Sequence, residues 1–159
     1  MMSVHLPPRK GATADANWKH ALTTIGSLCI PGRALAGDWN ANLGPRRAED
    51  FCGLGHHGRI GARCARGVRL LQFMKERGLA AALSFFDNDG PASRPGWDGG
   101  QRSSPYEILV PLRLVGGLTR ATCQNTPCGR SDHRASIASI SLGLDFRGSR
   151  SSHRSAPSD

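Results

Sequence analysis

Two stretches of the chain carry apolar residues at the three- and four-residue spacing of amphipathic helices. Thr13 is of a residue type that can cap the first helix, and residues 31–32 (Pro-Gly) end it. Gly78 stands where a C-terminal cap of the second helix belongs. The apolar stripes predicted to be buried are Trp18, Ala21, Leu22, Ile25 and Leu28 in the first helix and Val68, Leu70, Leu71 and Met74 in the second.

Shorter apolar runs between these helices predict strands. Residues 114–123 are expected to pair with the run 107–110, and alternation of apolar and polar residues over 138–144 is typical of a half-buried strand. Helices interleaved with strands predict an α/β fold. The candidate strands, in chain order, are residues 4–6, 33–36, 79–86, 107–110, 114–123 and 138–144.

The amino-acid composition limits the size of the core and the kinds of partner that the chain can have. Leu, Ile, Val and Phe together make up only 31 of the 159 residues, so we expect a thin core, and the Ser/Arg-rich tail 147–159 is expected to be disordered. The formal net charge of +9 favours a polyanionic partner such as nucleic acid. We expect no membrane segment and no signal peptide, and five cysteines at irregular spacing suggest reduced thiols in an intracellular protein. No obligate protein partner can be inferred.

Two polar clusters stand at the ends of predicted strands. Asp38 and Asn40 follow the strand at 33–36, and in an extended segment both would project to the same side. Residues 131–133 (Ser-Asp-His) precede the last strand. A histidine is suited to taking a proton from water near neutral pH, and a carboxylate beside it suits a hard divalent cation. Each cluster alone is also compatible with an ordinary solvated turn.

Several segments, in their order along the chain, resemble motifs of the endonuclease/exonuclease/phosphatase superfamily, and above all the DNase-I-like endonucleases of non-LTR retrotransposons. Residues 37–44 (GDWNANLG) resemble its GDFNA-x-x-G signature. Residues 55–58 and 66–73 resemble its glycine-rich loop and the helix that follows. Residues 108–111 (ILVP) resemble its DYILVP strand, and residues 131–133 match its terminal SDH.

This resemblance implies a metal-dependent phosphodiester hydrolase on a four-layer α/β sandwich, of which residues 1–146 match only the C-terminal half. In it, His133 would be the general base that activates water, and Asp38 would act on the attacking and leaving oxygens. Asn40 would hydrogen-bond the phosphate, and Asp132 would help to bind Mg²⁺ or Mn²⁺. A phosphodiester is already anionic, so a cation and oriented donors must stabilise the charge that develops when water attacks.

The chain also departs from the family pattern. The family's first half carries a glutamate that is its main metal ligand, and no residue here replaces it. The family aspartate that orients the catalytic histidine aligns with Tyr106. Glu107 lies one place along, on the opposite face of the strand, and substitutes only if the register slips. Cys64 stands where the family has asparagine. These departures predict a degenerate or truncated member, and a catalytically inactive, basic nucleic-acid-binding remnant is the alternative.

Two further sets of residues have competing explanations. A run of arginines could follow a nucleic-acid backbone, with a solvated loop face as the plain alternative. The run consists of Arg46, Arg47, Arg59, Arg63, Arg66 and Arg69, of which Arg59, Arg63 and Arg66 are the chosen candidates. A zinc site would have to be built from Cys52, His56, His57 and Cys64. The spacing of these four residues is not that of a standard tetrahedral site.

Overall fold

The computed structural model describes residues 1–8, 11–57, 61–87, 106–127 and 134–141. Two α-helices, six strands and two 3₁₀ helices occur in these ranges. In chain order they are β1 (Met2–His5), α1 (Ala14–Leu28), β2 (Leu35–Asp38), α2 (Ala65–Arg77), β3 (Leu79–Ala81), a first 3₁₀ helix (Ala82–Phe85), β4 (Tyr106–Pro111), a second 3₁₀ helix (Leu112–Gly117), β5 (Leu118–Pro127) and β6 (Arg134–Ile140).

A four-stranded sheet with the order β1-β2-β4-β3 forms the centre of the fold. β1 and β2 are parallel, with Met2 beside Leu35 and His5 beside Asp38. β4 is antiparallel to both β2 and β3, so β3 runs in the same direction as β2. The carboxyl ends of β1 and β2 therefore lie at one end of the sheet, which we call its carboxyl end. β3 points to the same end but stops at Ala81, which is level with Leu35 at the start of β2.

The two helices cover one face of this sheet and form the larger part of the core. α1 contributes Trp18 and α2 contributes Leu70 and Met74, all of which are fully buried. Two members of the predicted apolar stripes do not join this core, because Leu28 is 64% exposed at the end of α1 and Val68 is 55% exposed in the first turn of α2. Leu28 is the last residue of α1. Val68 lies outside the buried face of α2, which is formed by Arg66, Gly67, Leu70, Leu71, Phe73 and Met74.

The opposite face of the sheet is covered by a hairpin of β5 and β6. Ala80 and Val110 of the sheet pack in one cluster with Ala121 of the hairpin. Residues 114–123 were expected to pair with 107–110, and this is wrong: β5 pairs with β6, with Ala121 opposite Ala138. The layers are thus helices, sheet and hairpin, and the predicted α/β class is confirmed.

The apolar run at residues 79–86 is a strand only as far as Ala81 and then turns into the first 3₁₀ helix. Hydrogen bonds from outside the strand ladder account for the change. The Ser84 hydroxyl donates to the Ala81 carbonyl at 2.6 Å, and the Leu83 amide donates to the Glu107 carboxylate at 3.3 Å. Periodicity did not separate these two halves because every residue from 79 to 84 is buried.

Two glycines permit close approaches that place β2 and α2. A Cβ at Gly37 would lie 1.8 Å from the Val4 carbonyl oxygen of β1. A Cβ at Gly67, in the first turn of α2, would lie 1.9 Å from the Asn42 carbonyl oxygen. Since any side chain would collide with backbone at either place, these positions require glycine. The second contact holds the start of α2 against the loop that leaves the carboxyl end of β2.

Arg66 joins three segments near the start of α2. Its side chain is 2% exposed, and it donates to Asp15 at 2.7 Å and to the carbonyl oxygens of Pro7 and Pro8 at 2.8 and 3.3 Å. Its guanidinium carbon also lies 5.6 Å from the ring centroid of Trp18. The link between β1 and α1 is therefore fixed by one side chain of α2.

We predict that Arg66→Ala lowers the free energy of unfolding by about 2 kcal/mol, because two backbone carbonyl groups lose a buried charged donor. The Asp15 carboxylate is 69% exposed and adds little. Urea unfolding followed by tryptophan fluorescence measures the change. Arg69→Ala is the matched control, since it removes the same charge from the same helix at a partly exposed position. Equal losses in the two variants would contradict this structural role for Arg66.

Candidate functional site

A tight turn at the carboxyl end of β2 brings Asp38 and Asn40 together. The backbone amide of Asn40 donates to Oδ1 of Asp38 at 2.8 Å, and Asp38 is only 6% exposed. The Asn40 side chain donates in turn to the carbonyl oxygen of Leu6 at 2.8 Å, and the Leu6 amide donates to the Asp38 carbonyl at 2.8 Å. The two polar residues thus form one unit with the end of the neighbouring strand, β1.

The backbone at Asn40 differs from the extended conformation on which the sequence argument relied. Asn40 has a φ of 45° and is the only non-glycine residue with positive φ in the described part of the chain. Asparagine tolerates this left-handed conformation better than most residues. The two side chains are neighbours because the chain turns, and not because alternate residues of a strand share a face.

Two tryptophans hold this turn in place. The indole nitrogen of Trp39 donates to the carbonyl oxygen of Glu107 in β4 at 3.1 Å. The carbonyl oxygen of Trp39 accepts from the indole nitrogen of Trp18 in α1 at 2.7 Å. Both tryptophans are fully buried. Trp39 lies between Asp38 and Asn40 in sequence, and its hydrogen bonds reach both β4 and α1. The turn is therefore fixed to the sheet and to the helix layer.

The second predicted cluster lies outside the described residues. Asp132 and His133 fall between the described ranges 106–127 and 134–141, and Arg59 falls between 11–57 and 61–87. The described chain resumes at Arg134, which is the first residue of β6, as expected for a cluster that directly precedes the last strand.

Residues 106 and 107 are placed without a register slip. Tyr106 lies directly beside Asp38 in the ladder of β2 and β4. Glu107 is 2% exposed, and its Oε1 accepts from the amides of Leu83 and Ile108 at 3.3 and 3.1 Å. The carboxylate therefore supports the start of the first 3₁₀ helix. The condition under which Glu107 could replace the family aspartate is not met.

Arg63 serves as an internal clamp of the loop that follows the turn. It donates to the carbonyl oxygens of Leu43 and Pro45 at 2.7 and 3.0 Å and makes a two-point contact with the carboxylate of Asp50 at 2.7 and 2.5 Å. The Arg63 and Asp50 side chains are 5% and 7% exposed. The hydrogen bond from Arg63 lowers the pKa of Asp50 below its ordinary value, against the opposing effect of burial.

Arg63 and Arg66, two of the candidates for contact with nucleic acid, have partners inside this chain. Both guanidinium groups are nearly buried and are occupied by carboxylates and backbone carbonyls of this chain. A phosphate would have to displace those partners. The structure therefore gives both residues a role in holding the loop and the helices.

Cys64, which stands where the resemblance expects asparagine, is the N-cap of α2. Its sulfur accepts from the amide of Gly67 at 3.3 Å and from the amide of Asn42 at 3.2 Å. The thiol thus supplies two acceptor contacts at the helix start. The described cysteines are all free thiols: Cys29, Cys52, Cys64 and Cys123.

Metal-binding capacity is incomplete in the described ranges. Within them, no three His, Cys, Asp or Glu side chains are grouped so that they could hold a metal ion, which leaves the zinc hypothesis without support. Asp38 and Asn40 supply the hard oxygen donors that Mg²⁺ prefers. These donors fit that ion in kind, but two residues alone do not form a complete site. No helix in the described ranges is long and apolar enough to cross a membrane.

Comparison with known proteins identifies the fold. No protein-family model and no curated protein matches this chain. Among solved structures, it is similar to the endonuclease domain of TRAS1, a telomere-specific non-LTR retrotransposon, with a TM-score of 0.56 and 17% identity. The match covers 89% of this chain and 56% of that structure, so the chain spans about half of its length. The fold resembles a DNase-I-like endonuclease domain.

One basic contact was missed at the level of sequence. His56 belongs to the stretch that resembles the glycine-rich loop and is one of the zinc candidates, and Arg46 belongs to the arginine run that could follow a nucleic-acid backbone. The sequence does not pair them, yet the two side chains lie 2.9 Å apart. Their separation of ten residues inside an irregular loop gives no periodic signal. Only the closed shape of the loop brings them together.

We predict that the Arg63–Asp50 pair stabilises the protein at neutral pH and not in acid. Because the folded-state pKa of Asp50 is lowered, its contribution is present above the unfolded value of about 3.9 and is lost as the pH falls through the folded value. Asp50→Asn should lower the free energy of unfolding by about 2 kcal/mol at pH 7, with a smaller difference from wild type near pH 3.

Urea unfolding of both proteins at a series of pH values measures this difference. Glu49→Gln is the control, because it removes a carboxylate at an exposed neighbouring position. A pH-independent difference between wild type and Asp50→Asn would speak against the pair as its source.

Proposed function

We propose that this chain is an endonuclease-type domain that acts on the phosphodiester backbone of nucleic acid, with Asp38, Asn40, Asp132 and His133 as its site. The observation that carries the proposal is the Asp38–Asn40 turn, which is nearly buried, held by β1, β4 and α1, and built on a left-handed asparagine. Non-glycine residues in such conformations persist where surrounding structure holds them, often at functional sites. The similarity to the TRAS1 endonuclease domain supports the same class of substrate.

The topology supports a meeting of the two halves of the site. The second 3₁₀ helix starts at the end of the sheet opposite Asp38, where the Leu112 amide donates to the Gly78 carbonyl at 2.7 Å. β5 leaves from there, and Arg134 of β6 pairs with Pro127 at the other end of the hairpin. His133 directly precedes Arg134 in sequence. The hairpin thus returns the chain toward the carboxyl end of the sheet.

The proposed mechanism divides the work among these residues. His133 accepts a proton from the attacking water, whose oxygen bonds to phosphorus as the bond from phosphorus to the leaving sugar oxygen breaks, and the leaving oxygen takes a proton from solvent. Asn40 donates a hydrogen bond to a phosphate oxygen through its side-chain amide. Asp38 orients the reacting oxygens from its nearly buried position. Asp132 and Asp38 would hold Mg²⁺ or Mn²⁺, and a bound divalent ion would supply charge stabilisation to the phosphoryl oxygens.

We predict that wild-type protein nicks supercoiled plasmid when Mg²⁺ or Mn²⁺ is added, and that His133→Ala lowers the rate at least about 100-fold because the general base is lost. Gel analysis of nicked and closed plasmid over time measures the rate. His20→Ala, at an exposed position of α1, is the matched control and should keep the wild-type rate. Equal rates for His133→Ala and wild type would contradict the proposed role of His133 in hydrolysis.

We also predict that Tyr106→Asp raises the rate about tenfold, because it restores a carboxylate beside Asp38 at the position where the family orients its histidine. Tyr106→Asn removes the phenol without adding charge and serves as the control. The same plasmid assay applies. A gain in both variants would assign the effect to loss of the tyrosine, and no gain in Tyr106→Asp would exclude an orienting role for this position.

A second candidate function is binding of nucleic acid without cleavage. Tyr106, and not a carboxylate, lies beside Asp38, and the Glu107 carboxylate accepts from the first 3₁₀ helix instead, so neither supplies the carboxylate that would orient a catalytic histidine. The net charge of +9 favours binding of a polyanion. This candidate predicts salt-sensitive binding and no metal-dependent nicking. Wild-type nicking that depends on His133 would exclude it.

A further inference from the structure

Arg46 and His56 form a contact between two basic side chains in the loop after β2. Nη1 of Arg46 lies 2.9 Å from Nε2 of His56. A guanidinium group can only donate, so Nε2 accepts and the ring carries its proton on Nδ1. Among the described residues, no carboxylate is paired with either side chain, and the Asp50 carboxylate nearby is held by Arg63. The pair therefore has positive charge and spare donors without an anionic partner.

The backbone on both sides of this pair is fixed. The amides of Gly55 and His57, which flank His56, donate to Oγ and to the carbonyl oxygen of Ser84 at 2.8 and 2.9 Å. The carbonyl of Pro45, next to Arg46, accepts from Arg63 at 3.0 Å. Donors on an anchored backbone lose less conformational entropy when they bind a ligand. The pair is thus preorganised, although His56 itself is exposed.

The pair belongs to the same end of the sheet as the Asp38–Asn40 turn. Ser84, which anchors His56, lies in the first 3₁₀ helix, directly after the carboxyl end of β3. β3 and β2 run in the same direction and are separated only by β4. β3 ends level with the start of β2, but the 3₁₀ helix continues toward the carboxyl end, since the Leu83 amide donates to the Glu107 carboxylate and Glu107 lies beside Gly37. The loop therefore lies two strands across the sheet from the turn, on the side toward which both strands run.

We propose that Arg46 and His56 bind a phosphate of the nucleic-acid backbone beside the candidate site, in place of the internally paired Arg63 and Arg66. This inference rests on the proposed function for its class of partner. A guanidinium group and an imidazole N–H are donors that suit a phosphate oxygen, and the charge of +9 favours a polyanion over an isolated ion.

The test measures binding apart from cleavage. The full chain is titrated into a fluorescent duplex oligonucleotide, with EDTA present, over a series of NaCl concentrations, and anisotropy gives Kd. Arg46→Ala should raise Kd about tenfold at low salt and reduce the salt slope by about one contact. His56→Ala should raise Kd about threefold. Arg46→Lys, which keeps the charge, should recover most of the affinity.

Arg33→Ala is the matched control, because Arg33 is exposed and precedes β2 at the opposite end of the sheet. Its Kd should stay within about twofold of wild type. The proposal is overturned if Arg46→Ala and Arg33→Ala have the same Kd and slope, or if wild type binds an acidic polypeptide and not the duplex. Circular dichroism confirms folding, and His56→Gln and Arg46→Gln replace any alanine variant that unfolds.

The outcomes separate this inference from the proposed hydrolase. If Arg46→Ala weakens binding but wild type does not nick plasmid, the phosphate contact stands and the hydrolytic function fails. If wild type nicks plasmid but Arg46→Ala binds like wild type, the function stands and the contact is refuted.

Discussion

The hydrogen-bonded closure that joins the carboxyl ends of β1 and β2 is the constraint on which the rest of the structure depends. Four hydrogen bonds involving Leu6, Trp39 and Asn40 connect these strand ends to each other, to β4 and to α1. Gly37 makes the closure possible, since any Cβ there would collide with β1. Because few large apolar residues are available to fill the core, directional contacts of this kind fix the position of the layers.

The same closure explains why the candidate site is rigid on one side. The carboxylate of Asp38 is held by the backbone amide of Asn40, and the side chain of Asn40 is directed by the carbonyl oxygen of Leu6, which directly follows β1. The loop that follows is clamped by Arg63 and then by Cys64 at the start of α2. A site on such a support needs little reorganisation when it meets a phosphate.

The distribution of charge shows why composition is a poor guide to a binding surface. A net charge of +9 suggests many free basic groups, yet Arg63 and Arg66 are used as buried connectors. Arginine suits this role because its guanidinium group can donate to several carbonyl oxygens at once. Arg46 and His56, which have no carboxylate partner among the described residues, are not distinguished from the other basic residues by composition.

The sequence alone determined the α/β class, the two helices with the glycine cap at residue 78, and the polar residues that end β2, because helical periodicity and turn chemistry are local properties. It also indicated the resemblance to DNase-I-like endonucleases, with which the fold agrees. It did not determine that β5 pairs with β6, that residues 82–85 leave the strand, or that Asn40 turns the chain. Only the tertiary structure decided these features, together with the position of Tyr106 beside Asp38 and the hydrogen bonds of Glu107, Arg63 and Arg46. The reason is physical: each of them depends on a hydrogen bond or a contact between residues distant in sequence, and such contacts leave no periodic trace in the chain.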